Sequence, residues 1–190
     1  MNVETVEEND DVLKLRVEGV DEAVANALRR SMITKVPTLA VKHLEVSRND
    51  SGLFDEVIAN RVGQIPFTIP ENVEEDDEVH VAISQEGPGK AVAGDIQADN
   101  DEAEPVNPGA EIVSLKEDQA LEFEGVAVLG RGDEHAKHQG GTVGYEKVED
   151  GEYIFRIEST SGYSNTELFN EAINQVQNEL EEFEDFVSDL

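Results

Sequence analysis

Asp133, Glu134, His135 and His138 fall within one glycine-bordered loop, and two carboxylates beside two imidazoles are donors that suit zinc or another divalent ion. A metal held there would make the chain a metal-dependent hydrolase centred on His135 and His138. The spacing is a weak signal. The two histidines are three apart, no third ligand is indicated elsewhere, and such a pair arises easily by chance. Nucleophilic chemistry has even less support: Ser159, Ser161 and Ser164 lack the glycine pattern of a nucleophile elbow, and no cysteine is present to serve instead. Carboxylates are so abundant that paired ones discriminate nothing. Gly87, Gly89 and Gly94 precede no Gly-Lys-Ser or Gly-Lys-Thr opening a helix, so they form no phosphate loop. Arg29 and Arg30 remain. Their guanidinium forks either pair locally along the helix surface or meet a partner's carboxylates and carbonyls. No catalytic residue and no metal site is assigned, and the chemistry points to contact rather than turnover.

The charge of the chain narrows the partners. Its 190 residues carry 44 acidic against 14 basic side chains, a formal charge of −30, and the largest basic grouping is Arg29 with Arg30. Such a chain repels phosphates, so direct DNA binding is not expected. Self-repulsion on this scale destabilises a compact state in dilute buffer, whereas at molar salt the Debye length is about 3 Å. Acidic residues spread over almost every segment therefore suggest a high-salt cytoplasm. With 38% hydrophobic residues the chain can still bury a core. The absence of cysteine rules out disulfides and cysteine-ligated clusters, and no cofactor is expected. MNVETVEEND has no positive region followed by an apolar run, and no stretch approaches eighteen apolar residues, so the expectation is a soluble cytoplasmic protein without membrane contact.

These residues need elements to position them. Val12 to Val17 alternates as a half-buried strand ending at Gly19. Asp21 then suits an N-cap for a helix whose face is Val24, Ala27, Leu28, Ser31 and Met32, closed by Pro37. Thr38 to Ser47 reads as a strand. Within Ser51 to Phe67, Phe54, Val57, Ile58, Val62 and Ile65 take helical spacing before Pro66. After the acidic linker ENVEEDDE, strands are predicted around Val79 to Ile83, Ala91 to Ile96, Glu111 to Leu115, Leu121 to Leu129, Val143 to Val148 and Tyr153 to Glu158. A last helix runs from about Thr166, with Ser164 and Glu167 at capping-box spacing. Its apolar residues, Phe169, Ile173, Val176, Leu180, Phe183, Val187 and Leu190, alternate four and three apart, an a/d seam that suits a partner helix. Glu179, Glu181, Glu182, Glu184, Asp185 and Asp189 crowd its C-terminal end, against the helix macrodipole, so packing must supply its stability.

The order Leu-Phe-Asp-Glu, Ile-Ala, Arg-Val-Gly-Gln-Ile-Pro within residues 51–67 resembles a segment of the D subunit of archaeal DNA-directed RNA polymerase, relative of the eukaryotic third-largest subunit and the bacterial alpha subunit. ANALRRSMITKVP at 25–37 is similar to the family's first helix, DEHAKHQ at 133–139 to its Glu-His-Ala-Lys loop, and residues 155–187 to its terminal strand and helix. The resemblance implies an α+β fold: a discontinuous alpha-like dimerisation domain of sheet and helices from both chain ends, residues 1–50 and 152–190, with an inserted β-rich domain at 51–151. It implies a noncatalytic platform that pairs with subunit L and docks subunits N, P and B. Val24, Leu28, Met32, Phe169, Ile173, Val176, Leu180, Phe183 and Val187 would meet subunit L. Arg29, Arg30, Glu56, Asn60, Arg61, Glu134, His135 and Lys137 would meet the other subunits. Two features depart from the family pattern. The cysteine-rich insertion that often holds an iron–sulfur cluster is replaced by the acidic connector 70–79. His138 and Gly140-Gly141 stand where relatives have tryptophan and a proline-containing bend, which suggests a looser loop. A self-pairing acidic scaffold unrelated to transcription is the other reading of the seam.

Overall fold

The computed structural model describes residues 1–9, 11–74 and 76–188; Asp189 and Leu190, the ends of the predicted acidic cluster and seam, lie outside them. Along the chain the strands are β1 (Asn2–Glu8), β2 (Leu13–Glu18), β3 (Thr38–Asn49), β4 (Pro66–Phe67), β5 (Glu78–Glu86), β6 (Gly89–Val92), β7 (Gln97–Ala98), β8 (Glu111–Leu115), β9 (Ala120–Gly130), β10 (Gly141–Glu149) and β11 (Glu152–Ser159). The α-helices are α1 (Glu22–Thr34), α2 (Asp55–Gly63) and α3 (Asn165–Ser188). Among the described residues no helix is long and apolar enough to cross a membrane.

The chain forms two compact units. The first combines residues 1–37 and 131–190, the second is Thr38–Gly130. These boundaries differ from the predicted 50/51 and 151/152, and backbone pairing is the reason. β3 runs antiparallel to β9 from Thr38↔Gly130 to Asn49↔Leu121, which puts it in the second unit. β10 pairs along β11 from Gly141↔Ser159 to Glu149↔Glu152, which puts it in the first.

In the first unit an antiparallel sheet of order β1-β2-β11-β10 carries α1 and α3. Period-two alternation in β2 and β11 buries Leu13, Leu15, Val17, Tyr153, Phe155 and Ile157 on one face. Onto this face pack Ala25, Leu28 and Met32 of α1 with Leu168, Phe169 and Ala172 of α3. A ring contact of Tyr145 with Tyr153 (5.5 Å) joins neighbouring strands, and one of Phe155 with Phe169 (6.4 Å) joins strand to helix. Asp21 caps α1 through Oδ1, which accepts from the Val24 amide at 2.9 Å. The capping box of α3 is present in both directions: the Ser164 amide donates to Glu167 (2.8 Å) and the Glu167 amide to Ser164 Oγ (3.2 Å). These contacts hold the Glu167 carboxyl below its ordinary range. Just before the helix, burial together with Glu171 and Glu167 pushes the Tyr163 phenol up to about 12.

β1 is an edge strand that the sequence did not announce. All seven of its residues are exposed, and a bulge between Thr5 and Glu7 breaks the alternation that would mark it as a strand.

The second unit is a five-stranded antiparallel sheet, β4-β3-β9-β5-β7, with a β6-β8 ribbon and α2. Ile58, Val62 and Ile65 pack into its core with Leu39, Phe67, Val81 and Phe123. Phe54, expected on the buried face of this helix, instead precedes its first turn at 79% exposure, and Val57 is exposed with it. The predicted strand at 91–96 ends at Val92 and continues as a 3₁₀ turn over Ala93–Asp95.

Candidate functional site

Between α1 and α3 of the first unit lies a groove of about 500 Å³. One stripe of α1, Ala27, Arg30 and Ser31, with Lys35 just past its end, supplies one wall, and Val176, Glu179, Leu180 and Phe183 of α3 supply the other. Both sets follow the three-and-four spacing that aligns side chains on one helical face. The helices are tied beneath it, where Ser31 Oγ donates to the Ala172 carbonyl at 3.1 Å across 141 residues of chain. Beyond the groove α3 carries its seam into solvent: Leu180 is 58% exposed, Phe183 64%, Phe186 64% and Val187 50%.

The seam is thus divided. Leu168, Phe169 and Ala172 are buried in their own unit, with Ile173 and Val176 packed partly against the same core. Phe169 therefore offers no surface to a partner, and neither do Leu28 and Met32 of α1. Their assignment to the partner face is corrected: each large apolar side chain gains about 1.5–3 kcal/mol by burial, and the sheet lies within reach of these positions. Val24 is exposed and shares the α1 stripe with Ala27 and Ser31. Sequence reasoning missed Phe186, which lies beside the a/d positions rather than on them, and Lys35, whose role depends on a distant loop.

That loop, residues 131–140, docks on the C-terminal end of α1. Gly140 donates its amide to the Ile33 carbonyl (3.3 Å), Asp133 to Thr34 (3.3 Å), and the Arg131 Nε–H to Lys35 (3.1 Å). Three carbonyls that the helix end leaves without intrahelical partners are thereby satisfied, with a cation at the negative end of the macrodipole. Lys35 Nζ reaches Asp133 at 3.0 Å and Glu179 at 3.6 Å, bridging α1, loop and α3. Asp133 holds the ammonium above the ordinary lysine range, and Lys35 holds the Asp133 carboxyl below its own. Gly140 and Gly141 are buried, and a Cβ on either would press on the Met32 carbonyl or, at 2.6 Å, on that of Glu158. The expected looseness of the loop is corrected accordingly: the glycines permit close approach, and the bend is packed.

Glu134 and His135 are exposed on this loop, and His135 Nδ1 accepts from the Lys137 amide at 3.2 Å. His138, in contrast, is buried. Among the described residues no three carboxylate or histidine side chains converge as a metal site. The two arginines also part company. Arg30 lines the groove, whereas Arg29 is half-buried and donates to Asn26 at 3.1 Å. In the second unit Glu56, Asn60 and Arg61 are all exposed on α2. Asn60 accepts from Gln64 at 2.9 Å, and Arg61 is engaged inside the unit, donating to the Ile112 carbonyl at 2.6 Å.

Comparison with known proteins gives a consistent set. A family profile described as the RNA polymerase Rpb3/RpoA insert domain matches residues 53–148. The chain is 47% identical over 134 residues to DNA-directed RNA polymerase subunit Rpo3 of Natronomonas pharaonis, covering 70% of this chain and 54% of that protein. It is 43% identical over 153 residues to the Pyrococcus furiosus subunit, covering 77% and 59%. To the Methanosphaera stadtmanae subunit it is 31% identical over 200 residues, covering 96% and 68%. The chain thus spans little more than half the length of the first two relatives.

Proposed function

Because the chain belongs to the archaeal Rpo3 family of DNA-directed RNA polymerase subunits, we propose that it is a noncatalytic assembly-platform subunit of that enzyme in a salt-adapted archaeon. It works in the cytoplasm and needs no cofactor of its own. It pairs with subunit L through the α1–α3 groove and the exposed end of α3, and the pair receives subunits N, P and B. Glu134, His135 and Lys137 on the 131–140 loop, with Glu56 and Asn60 on α2, are the contacts offered to those later subunits.

The observation that carries this reading is the run of Leu180, Phe183, Phe186 and Val187, four large apolar side chains at half exposure or more on one helix. An apolar face of this kind, on a chain of charge −30, is the kind of surface that marks an interaction site. A second copy of the chain is a poor cover, because it would bring Glu181, Glu182, Glu184 and Asp185 against themselves.

Leu180→Asp tests the reading, since it places a charge on the seam without touching the core. Co-purification with subunit L in high salt should be lost, and unchanged co-purification would remove this face from the pairing. Light scattering of the chain alone supplies the second arm: a stable homodimer indifferent to subunit L would favour the self-pairing scaffold.

A further inference from the structure

We propose that Phe54 is the anchor of a second docking surface, and that it inserts into an apolar pocket rimmed by lysine or arginine on a subunit that joins after pairing. The inference rests on the platform role proposed above and adds to it the chemistry by which the second unit is recognised. Of the seven phenylalanines, Phe67, Phe123, Phe155 and Phe169 are buried, whereas Phe183, Phe186 and Phe54 stand in solvent. Phe183 and Phe186 belong to the exposed end of α3. Phe54 belongs to the other unit, at the entry to α2, and is the most exposed large apolar side chain among the described residues.

A single exposed ring is ordinary on a protein surface. This one is held in place. The Asn49 side chain ties down the approach to α2: its Oδ1 accepts from the Ser51 amide (3.0 Å) and hydroxyl (2.6 Å), and its Nδ2 donates to the Leu53 carbonyl (2.8 Å) and to Asp55 (2.7 Å). Leu53 packs against the core of the unit, while Phe54, one residue on, is exposed. The Phe54 carbonyl accepts from the amides of Val57 (2.9 Å) and Ile58 (3.2 Å), so the backbone carrying the ring is fixed on both sides. A ring presented in this way loses little freedom on binding. Val57, exposed in the first turn of α2, widens the apolar surface.

Charge selects the occupant. Asp55 and Glu56 follow the ring directly, and neither meets a cation among the described residues. The flanking cations are engaged elsewhere, Arg48 with Asp50 and Glu122, and Arg61 with the Ile112 carbonyl. A ring that stands proud calls for a cavity, and unmatched carboxylates beside it call for a cationic rim. A second copy of the chain would set these carboxylates against themselves.

The test adds purified subunits N, P and B singly to the full chain paired with subunit L and measures affinity in high salt. Phe54→Ala should weaken the association of one of them about 30-fold. Pairing with subunit L and the melting midpoint of the chain should stay as in the parent. Glu56→Lys should weaken the same association less, and its effect should shrink as potassium chloride is raised while that of Phe54→Ala persists, because salt screens charge and not apolar burial. If the parent pair binds none of the three subunits, the platform reading itself fails. If the parent binds and both Phe54→Ala and Phe54→Asp bind equally well, the anchor is refuted and the platform reading stands. If Phe54→Ala weakens binding but Glu56→Lys has no effect at any salt, the rim is not cationic and the proposal is overturned. A loss of pairing with subunit L in Phe54→Ala, or self-association of the chain that Phe54→Asp abolishes, would overturn it as well, since the ring would then serve a different occupant.

Discussion

Lys35 joins three stretches of chain that are remote in sequence: its own helix end, Asp133 of the docked loop and Glu179 of α3. The bridge gives a pH dependence whose sign follows from the two shifts. Asp133 is held below its ordinary value in the folded chain, so its contribution is present above about pH 3.9 and is lost as pH falls through the lower folded value. Lys35 is held above its own, so its share is complete below about pH 10.4 and disappears as pH rises past that. Denaturant titration of Asp133→Asn against the parent should therefore show a difference that is flat between these limits and absent in strong acid. Both groups are substantially exposed, so the plateau should lie below about 1 kcal/mol and shrink further in salt. A plateau that persisted in strong acid would mean that the carboxylate's charge is not what the variant removes. None of this coupling is visible in the sequence. Lys35 follows its helix and Asp133 lies in a loop, and only the docking of that loop on the carbonyls of Ile33, Thr34 and Lys35 brings them together.

At the scale of elements, α3 is two helices in function. Up to Val176 it belongs to the core of its own unit, and from Leu180 it stands in solvent. Phe169→Ala should cost about 3–5 kcal/mol in thermal or chemical unfolding, because a fully packed ring leaves a cavity. Phe183→Ala should leave the melting of the isolated chain nearly unchanged while weakening the proposed association with subunit L. Equal losses of stability would contradict this division. The heptad spacing marks one apolar stripe along the whole helix, but spacing cannot say where along it the chain's own sheet ends. That limit depends on how far β11 and α1 extend beneath it. The same distinction explains Phe54, whose spacing puts it on the face of α2 although its backbone is extended and lies before the first turn. The alternating strands β2, β5 and β11 are legible because one face of each is buried. The edge strand β1 is not, since nothing buries either of its faces.

For the whole molecule, 44 carboxylates on 190 residues make salt part of the stability. Raising potassium chloride from about 0.1 M to molar concentrations shortens the Debye length from about 10 to 3 Å and should raise the melting midpoint. Each kcal/mol regained is worth about 2–4 °C for a chain of this size. A midpoint that stayed constant would show that the carboxylates do not repel one another in the fold. Composition makes this charge plain from the start, and the discontinuous plan is also legible, but its boundaries are not. They depend on which strands pair, and the β3–β9 and β10–β11 ladders are choices made by tertiary packing. That plan also has a consequence in time. The second unit is one uninterrupted stretch, whereas α1 waits for a helix whose Ala172 carbonyl lies 141 residues after Ser31. During synthesis the second unit can close around its own core as it leaves the ribosome, with the apolar face of α1 still bare. The first unit must be completed last, so the groove comes into existence only once both of its walls have been made.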